Sequence, residues 1–165
     1  MKYPILIAAA AAAWLGFFAP AVAGPEVNTA TGAVLVDGKP APGLAVHGFD
    51  VVAYFTDGKP IQGDAKYAVV HKEATYRFAS QAHLDAFTAD PTKYEPAYGG
   101  YCAYGVSVGA KFDGDPRLWK IVDDKLYLNL DSGIQKAWLK DIPGAVRKAD
   151  ANWPKLANKL PSEIN

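Results

Sequence analysis

Apolar and polar positions change period several times along this chain of 165 residues, and each change marks an element. Residues 5–18 are almost entirely apolar, with Lys2 ahead of them and Ala21-Val22-Ala23 behind. A basic start, a short apolar run and a small-x-small site predict a signal peptide over 1–23, cut after Ala23. The run is shorter than the roughly 20 apolar residues of a membrane helix, so no transmembrane segment is expected after cleavage. A leader and strand follow over 24–46, with 31–36 β-prone, Asp37-Gly38 a turn, and 39–43 a Pro-Gly linker. Alternation over 67–71 and 75–78 predicts a hairpin. Ser80 then caps a helix to about residue 90, with Leu84 and Phe87 inward and Pro91 closing it.

Residues 94–109 read as an aromatic, glycine-rich loop. A second hairpin is expected over 118–122 and 125–130 around Asp123-Asp124, with Leu126, Leu128 and Leu130 on one face. Ser132-Gly133-Ile134-Gln135 fits a capping box, and the helix behind it turns Ile134, Ala137 and Trp138 inward. A last helix begins near Asp141, carries Ile142, Val146, Ala149 and Trp153 as its apolar stripe, and weakens after Pro154. The sequence shows no internal repeat. The fold class is a small single α+β domain with two hairpins and several short helices.

Composition narrows the function classes. Seventeen acidic and 17 basic residues cancel, and no basic run occurs, which leaves no electrostatic footprint for nucleic acid. The single methionine rules out a Met-rich copper-carrier surface. One cysteine, Cys102, in Tyr98-Gly99-Gly100-Tyr101-Cys102-Ala103, admits no internal disulfide. In an exported protein it is a free thiol, a metal ligand, a reactive group or half of an intermolecular bridge. Cys-x-x-Cys, His-Glu-x-x-His, a phosphate-cradling loop and a Gly-x-Ser-x-Gly elbow are absent from the sequence. Asp113-Gly114-Asp115-Pro116 lacks the spacing and closing glutamate of a calcium loop and reads as a turn.

Ordered motifs across the mature chain resemble the YHS domain, and more narrowly the exported bacterial YHS domain-containing (seleno)protein group. They are Val46-His47-Gly48-Phe49-Asp50-Val51-Val52-Ala53-Tyr54-Phe55, Tyr76-Arg77-Phe78-Ala79-Ser80, Asp85-Ala86-Phe87 with Asp90-Pro91, and the Tyr98 to Ala103 run. In the tail, Leu126-Tyr127-Leu128-Asn129 and Lys148-Ala149-Asp150-Ala151-Asn152-Trp153-Pro154 also fit. The resemblance implies a treble-clef-like YHS region over 47–104, with 105–165 supplying a hairpin and helices packed on the same domain. Metal-binding members carry three cysteines where this chain has Ala53, Ala79 and His83. It further implies selenocysteine in some relatives, expected at the position of Cys102.

Three readings stand at this stage. In the leading one, an exported, periplasmic or secreted protein binds copper or zinc through Cys102 and His47, with His83 as a third ligand and Asp50 and Tyr101 around them. No organic cofactor is indicated. The second is a thiol-redox protein or enzyme that works with a small redox partner, with Cys102 as its reactive group. The third is a non-catalytic partner-binding module with a decayed metal site and a buried Cys102. Oligomeric state is left open. His71, beside Lys72-Glu73, is expected in an exposed turn.

Overall fold

A computed structural model describes residues 26–29 and 33–165; the stretch expected to be a signal peptide, 1–23, and part of the expected leader lie outside the described residues. The described chain is a small mixed α/β domain of three two-stranded antiparallel hairpins and six α-helices. The first hairpin, β1 (Val34–Val36) and β2 (Lys39–Ala41), was not expected: the stretch taken for a linker pairs across the Asp37-Gly38 turn. A 3-10 turn at Val46–Gly48 leads to α1 (Ala53–Thr56), then β3 (Asp64–His71), β4 (Ala74–Phe78), α2 (Gln81–Ala89) and α3 (Pro91–Tyr94). A second 3-10 turn at Ala97–Gly100 leads to α4 (Ala103–Ser107), β5 (Asp115–Val122), β6 (Lys125–Asn129), α5 (Ser132–Leu139) and α6 (Ile142–Leu156).

That order is one plan used twice, which corrects the reading of no internal repeat. In β3 and β5 the register slips after Asp64 and after Asp115, and Asp64 faces Phe78 as Asp115 faces Asn129, each 51 positions on. Both aspartates accept the N–H two residues ahead, Lys66 N and Arg117 N, at 2.8 Å. Both hairpins close on two left-handed residues, Lys72-Glu73 (φ 47°, 58°) and Asp123-Asp124 (φ 48°, 58°), the backbone that a two-residue hairpin of right-handed twist demands. Side-chain oxygens of Ser80 and Asp131 then cap α2 and α5 by accepting from His83 N and Ile134 N. The cap of α5 is thus Asp131, not the expected Ser132. Asp90 and Asp141 cap the next helices in turn. These devices need only a short polar group or a backbone angle, so different residues meet them and the repeat escapes the sequence.

Each unit has its own apolar cluster. Tyr54, Tyr76, Phe78 and Phe87 lead the first, and Tyr127, Trp138, Ala149 and Leu156 the second. Phe87 and Trp138, one per unit, are each about 1% exposed; burial of such a ring contributes about 2–3 kcal/mol. β6 joins the two clusters. By strand alternation Leu126 and Leu128 enter the first and Tyr127 the second. The expected loop over 94–109 holds α3's last residue, the second 3-10 turn and α4, so the expected boundary at residue 104 cuts a helix. Pro154 lies inside α6, which runs on to Leu156.

Candidate functional site

Asp50 is the best-connected polar residue of the expected site. It is fully buried, and its carboxylate gathers four partners. Oδ1 accepts from Val52 N at 2.9 Å and Ala53 N at 3.3 Å, and Oδ2 accepts from Ala79 N at 2.8 Å. The Nδ1 of His83 lies 2.6 Å from Oδ2. Charge-assisted bonds of this kind offset the cost of taking a carboxylate out of water. His83 turns its other nitrogen outward, 3.4 Å from Thr56 Oγ1 and 3.7 Å from Asp57 Oδ2. Asp50 and His83, two residues of the expected site, therefore meet. They do so through helix starts: the 3-10 turn delivers Asp50 to α1, and the Ser80 cap fixes the first turn of α2.

Cys102 stands elsewhere. It is 0% exposed and forms the N-cap of α4, its Sγ accepting from Gly105 N at 3.4 Å and approaching Asn129 Oδ1 at 3.9 Å. Burial pushes the thiol pKa up, and the N–H groups of Gly105, Leu130 and Tyr104 only partly oppose it. A buried neutral thiol is a poor nucleophile and a poor metal ligand.

His47 does not join the sulfur. Its backbone is left-handed (φ 52°), and its Nε2 sits 3.0 Å from Asp113, which also accepts from Asn28 Nδ2 at 2.5 Å. It lines a surface cleft of about 230 Å³ with Phe49, Asp113, Asp115 and Arg117, and Cys102 takes no part in that lining. Tyr101 is a wall of the second apolar cluster, its ring 4.7 Å from Lys111 Nζ. Burial pushes that phenol up to about 12. The expected constellation of Cys102, His47 and His83 is thus three separate contacts: the cap draws the sulfur inward, Asp113 holds one imidazole at the surface, and Asp50 holds the other.

Ala53, Ala79 and His83, the residues that the expected resemblance sets against metal-ligating cysteines, do not fit a soft metal. Ala53 and Ala79 carry no donor side chain and give their backbone N–H groups to Asp50, and the Nδ1 of His83 is engaged with the same carboxylate. Among the described residues no group of three or more His, Cys, Asp or Glu side chains is placed to hold a metal ion.

His71 is half-buried rather than exposed. Its Nε2 meets Glu95 Oε1 at 2.5 Å, and its ring packs on Phe87 and Tyr76. Lys72 reaches the same glutamate at 2.8 Å. Glu95 was missed in the sequence because it stands near no partner in the chain and in no motif, and Asn129, the last residue of the Leu126-Tyr127-Leu128-Asn129 motif, was given no role because its neighbour Cys102 lies 27 residues away. No family model matches the chain, and no curated protein or solved structure matches it.

Proposed function

We propose that this is an exported, non-catalytic binding module of YHS type, in which a carboxylate-centred hub stands where its relatives hold a metal. The burial of Cys102 carries the reading: a sulfur with 0% exposure and no imidazole partner is placed for packing and capping, not for turnover or ligation. Ala53, Ala79 and His83 support it further, since all three close on Asp50. The module then acts through its outer surface on a partner, and export from the cytoplasm belongs to the same proposal.

Metal content and thiol reactivity test it together. The mature protein and Cys102→Ser are expected to carry equal, negligible copper and zinc by mass spectrometry. The thiol is expected to resist an alkylating reagent until the chain is denatured. Stoichiometric metal that disappears in Cys102→Ser, or rapid alkylation of the native protein, overturns the reading in favour of a metal or thiol-redox protein.

A further inference from the structure

Where β6 joins the two units, a second cleft of about 250 Å³ opens, with no residue in common with the cleft of His47. Four elements wall it. Glu95 comes from the end of α3, Tyr98 from the second 3-10 turn, Lys125 and Tyr127 from β6, and Asp150 and Trp153 from α6. The three rings form one group. The Tyr98 centroid lies 5.9 Å from that of Tyr127 and 5.7 Å from that of Trp153, with the planes inclined at 56° and 60°. Rings so inclined do not stack flat on one another, and each of the three borders the cleft. The volume is below the roughly 300–1,000 Å³ of pockets that take drug-sized ligands, which limits an occupant to a small molecule or a single side chain.

Asp150 sets the charge of this cleft. Its Oδ1 accepts from Tyr98 OH at 2.9 Å, and no cation meets the carboxylate among the described residues. Glu95, by contrast, is engaged by His71 and Lys72. Lys125 brings an ammonium to the same wall, but it is exposed and forms no ion pair among the described residues. Burial first, and then the Asp150 carboxylate, pushes the Tyr98 and Tyr127 phenols up, so both rings stay neutral and keep a negative face. The adjoining interior already holds a cation in this manner. Lys111 Nζ, which is no part of the cleft wall, lies 5.3 Å from the Trp153 centroid and 4.7 Å from that of Tyr101.

Ring faces beside a carboxylate attract a cation. A primary ammonium is strongly hydrated and brings three N–H donors, for which this wall offers one carboxylate without a cation partner. An ammonium whose hydrogens are replaced by methyl groups brings no donors and rests on rings beside a single charge. We infer that the cleft at the seam is a binding site for a quaternary ammonium group, with Tyr98, Tyr127 and Trp153 as its aromatic walls and Asp150 as its counter-charge. The group comes either on a free molecule of the choline type or on a trimethylated lysine of a partner protein, since both present the same head. The inference rests on the proposed function only in treating the molecule as a surface binding module. Its test measures neither metal nor thiol, so either can fail without the other.

Calorimetric titration of the mature chain with choline tests it. Saturable binding is expected, about tenfold tighter than that of the uncharged isostere in which carbon replaces the nitrogen. Asp150→Asn keeps an acceptor for Tyr98 OH and removes only the charge; it is expected to weaken choline binding about fivefold. Trp153→Leu is expected to weaken it about tenfold, and Lys125→Gln, which removes an opposing charge, to strengthen it about twofold. Asp150 and Lys125 are exposed, so their variants keep the test decisive if Trp153→Leu fails to fold. A peptide carrying trimethyllysine separates the two sources: binding tighter than choline assigns a partner protein, and weaker binding assigns a free molecule. Absence of saturable choline binding, equal binding of the uncharged isostere, or an Asp150→Asn chain that binds choline as tightly as the natural one overturns the inference.

Discussion

The first unit centres on a buried carboxylate and the second on a buried thiol, yet both hang the same backbone on that group. What differs is how much each centre has at stake. Asp50 binds three N–H groups and an imidazole, so its removal strands the buried N–H groups of Val52 and Ala53 and takes the partner from the half-buried Ala79 N–H and His83 ring. Cys102 makes weaker contacts, and its loss removes a cap and opens a small void. Asp50→Ala is therefore expected to cost about 4 kcal/mol or to prevent folding, through unsatisfied buried donors. Cys102→Ala is expected to cost about 1–2 kcal/mol. Urea denaturation of the two variants measures both, and equal costs would break the contrast.

A glycine in each unit sharpens the comparison by testing what the two centres share. A Cβ on Gly63 would lie 2.5 Å from the carbonyl carbon of Arg77, and one on Gly114 would lie 2.4 Å from Gly100 O and 2.8 Å from Leu128 Cβ. These neighbours are backbone or the root of a buried side chain, which cannot swing away. Gly63→Ala and Gly114→Ala are each expected to cost about 2–3 kcal/mol, as overpacking does in a close-packed interior. A loss confined to one unit would show that the second packing constraint only looks like the first.

The seam between the units carries a smaller, pH-dependent effect. Burial alone would raise the Glu95 pKa, but hydrogen bonds and charge from Lys72 and His71 outweigh it and hold the carboxyl below its ordinary value. A folded pKa below the unfolded one gives stability that is present above the unfolded value of 4.5 and is lost as pH falls through the folded value. Melting points between pH 3 and 6 are expected to fall less steeply for Glu95→Gln than for the natural chain. Parallel curves would show that the seam does not depend on this ion cluster.

The legible part of the chain was the part written in side-chain periodicity. Alternation predicted the hairpins β3–β4 and β5–β6, and helix starts at Ser80 and Asp141 stood out because an oxygen there meets a free N–H. The residues of the second 3-10 turn and α4 were read as loop because a cysteine is not an expected cap and Tyr98 is not an expected left-handed residue. The meeting of Asp50 with His83 had only a faint signal: both were grouped around the expected metal ligands with no contact assigned between them, and the fold carries Asp50 to a helix residue 33 positions on. The repeat was hidden for the reason that makes it physical. It is conserved in backbone angles, caps and registers, and its two centres carry chemically different side chains.

The smallest expected effect concerns a residue without a counterpart. Lys111 lies in the second unit, and position 60, its equivalent in the first, is Pro60. Lys111 Nζ donates to Ala157 O and Lys159 O, both at 2.8 Å, and lies over the rings of Tyr101 and Trp153. It ties the end of α6 to the segment ahead of β5. Burial lowers its pKa from 10.5 to about 8, against weaker opposing pulls from Glu26 and Glu163. Below about 8 both folded and unfolded chains hold the proton, and the cost of burying the charge is fully present. Between about 8 and 10.5 the folded chain has released the proton and the unfolded chain has not, so stability rises with pH in that window. Natural protein is expected to gain about 2–3 °C in melting point from pH 7 to 9, and Lys111→Met, with no amine to titrate, is expected to gain nothing from this source. A natural chain whose melting point stays level or falls over that range would mean that the second unit closes around a charge as cheaply as the first closes around its carboxylate.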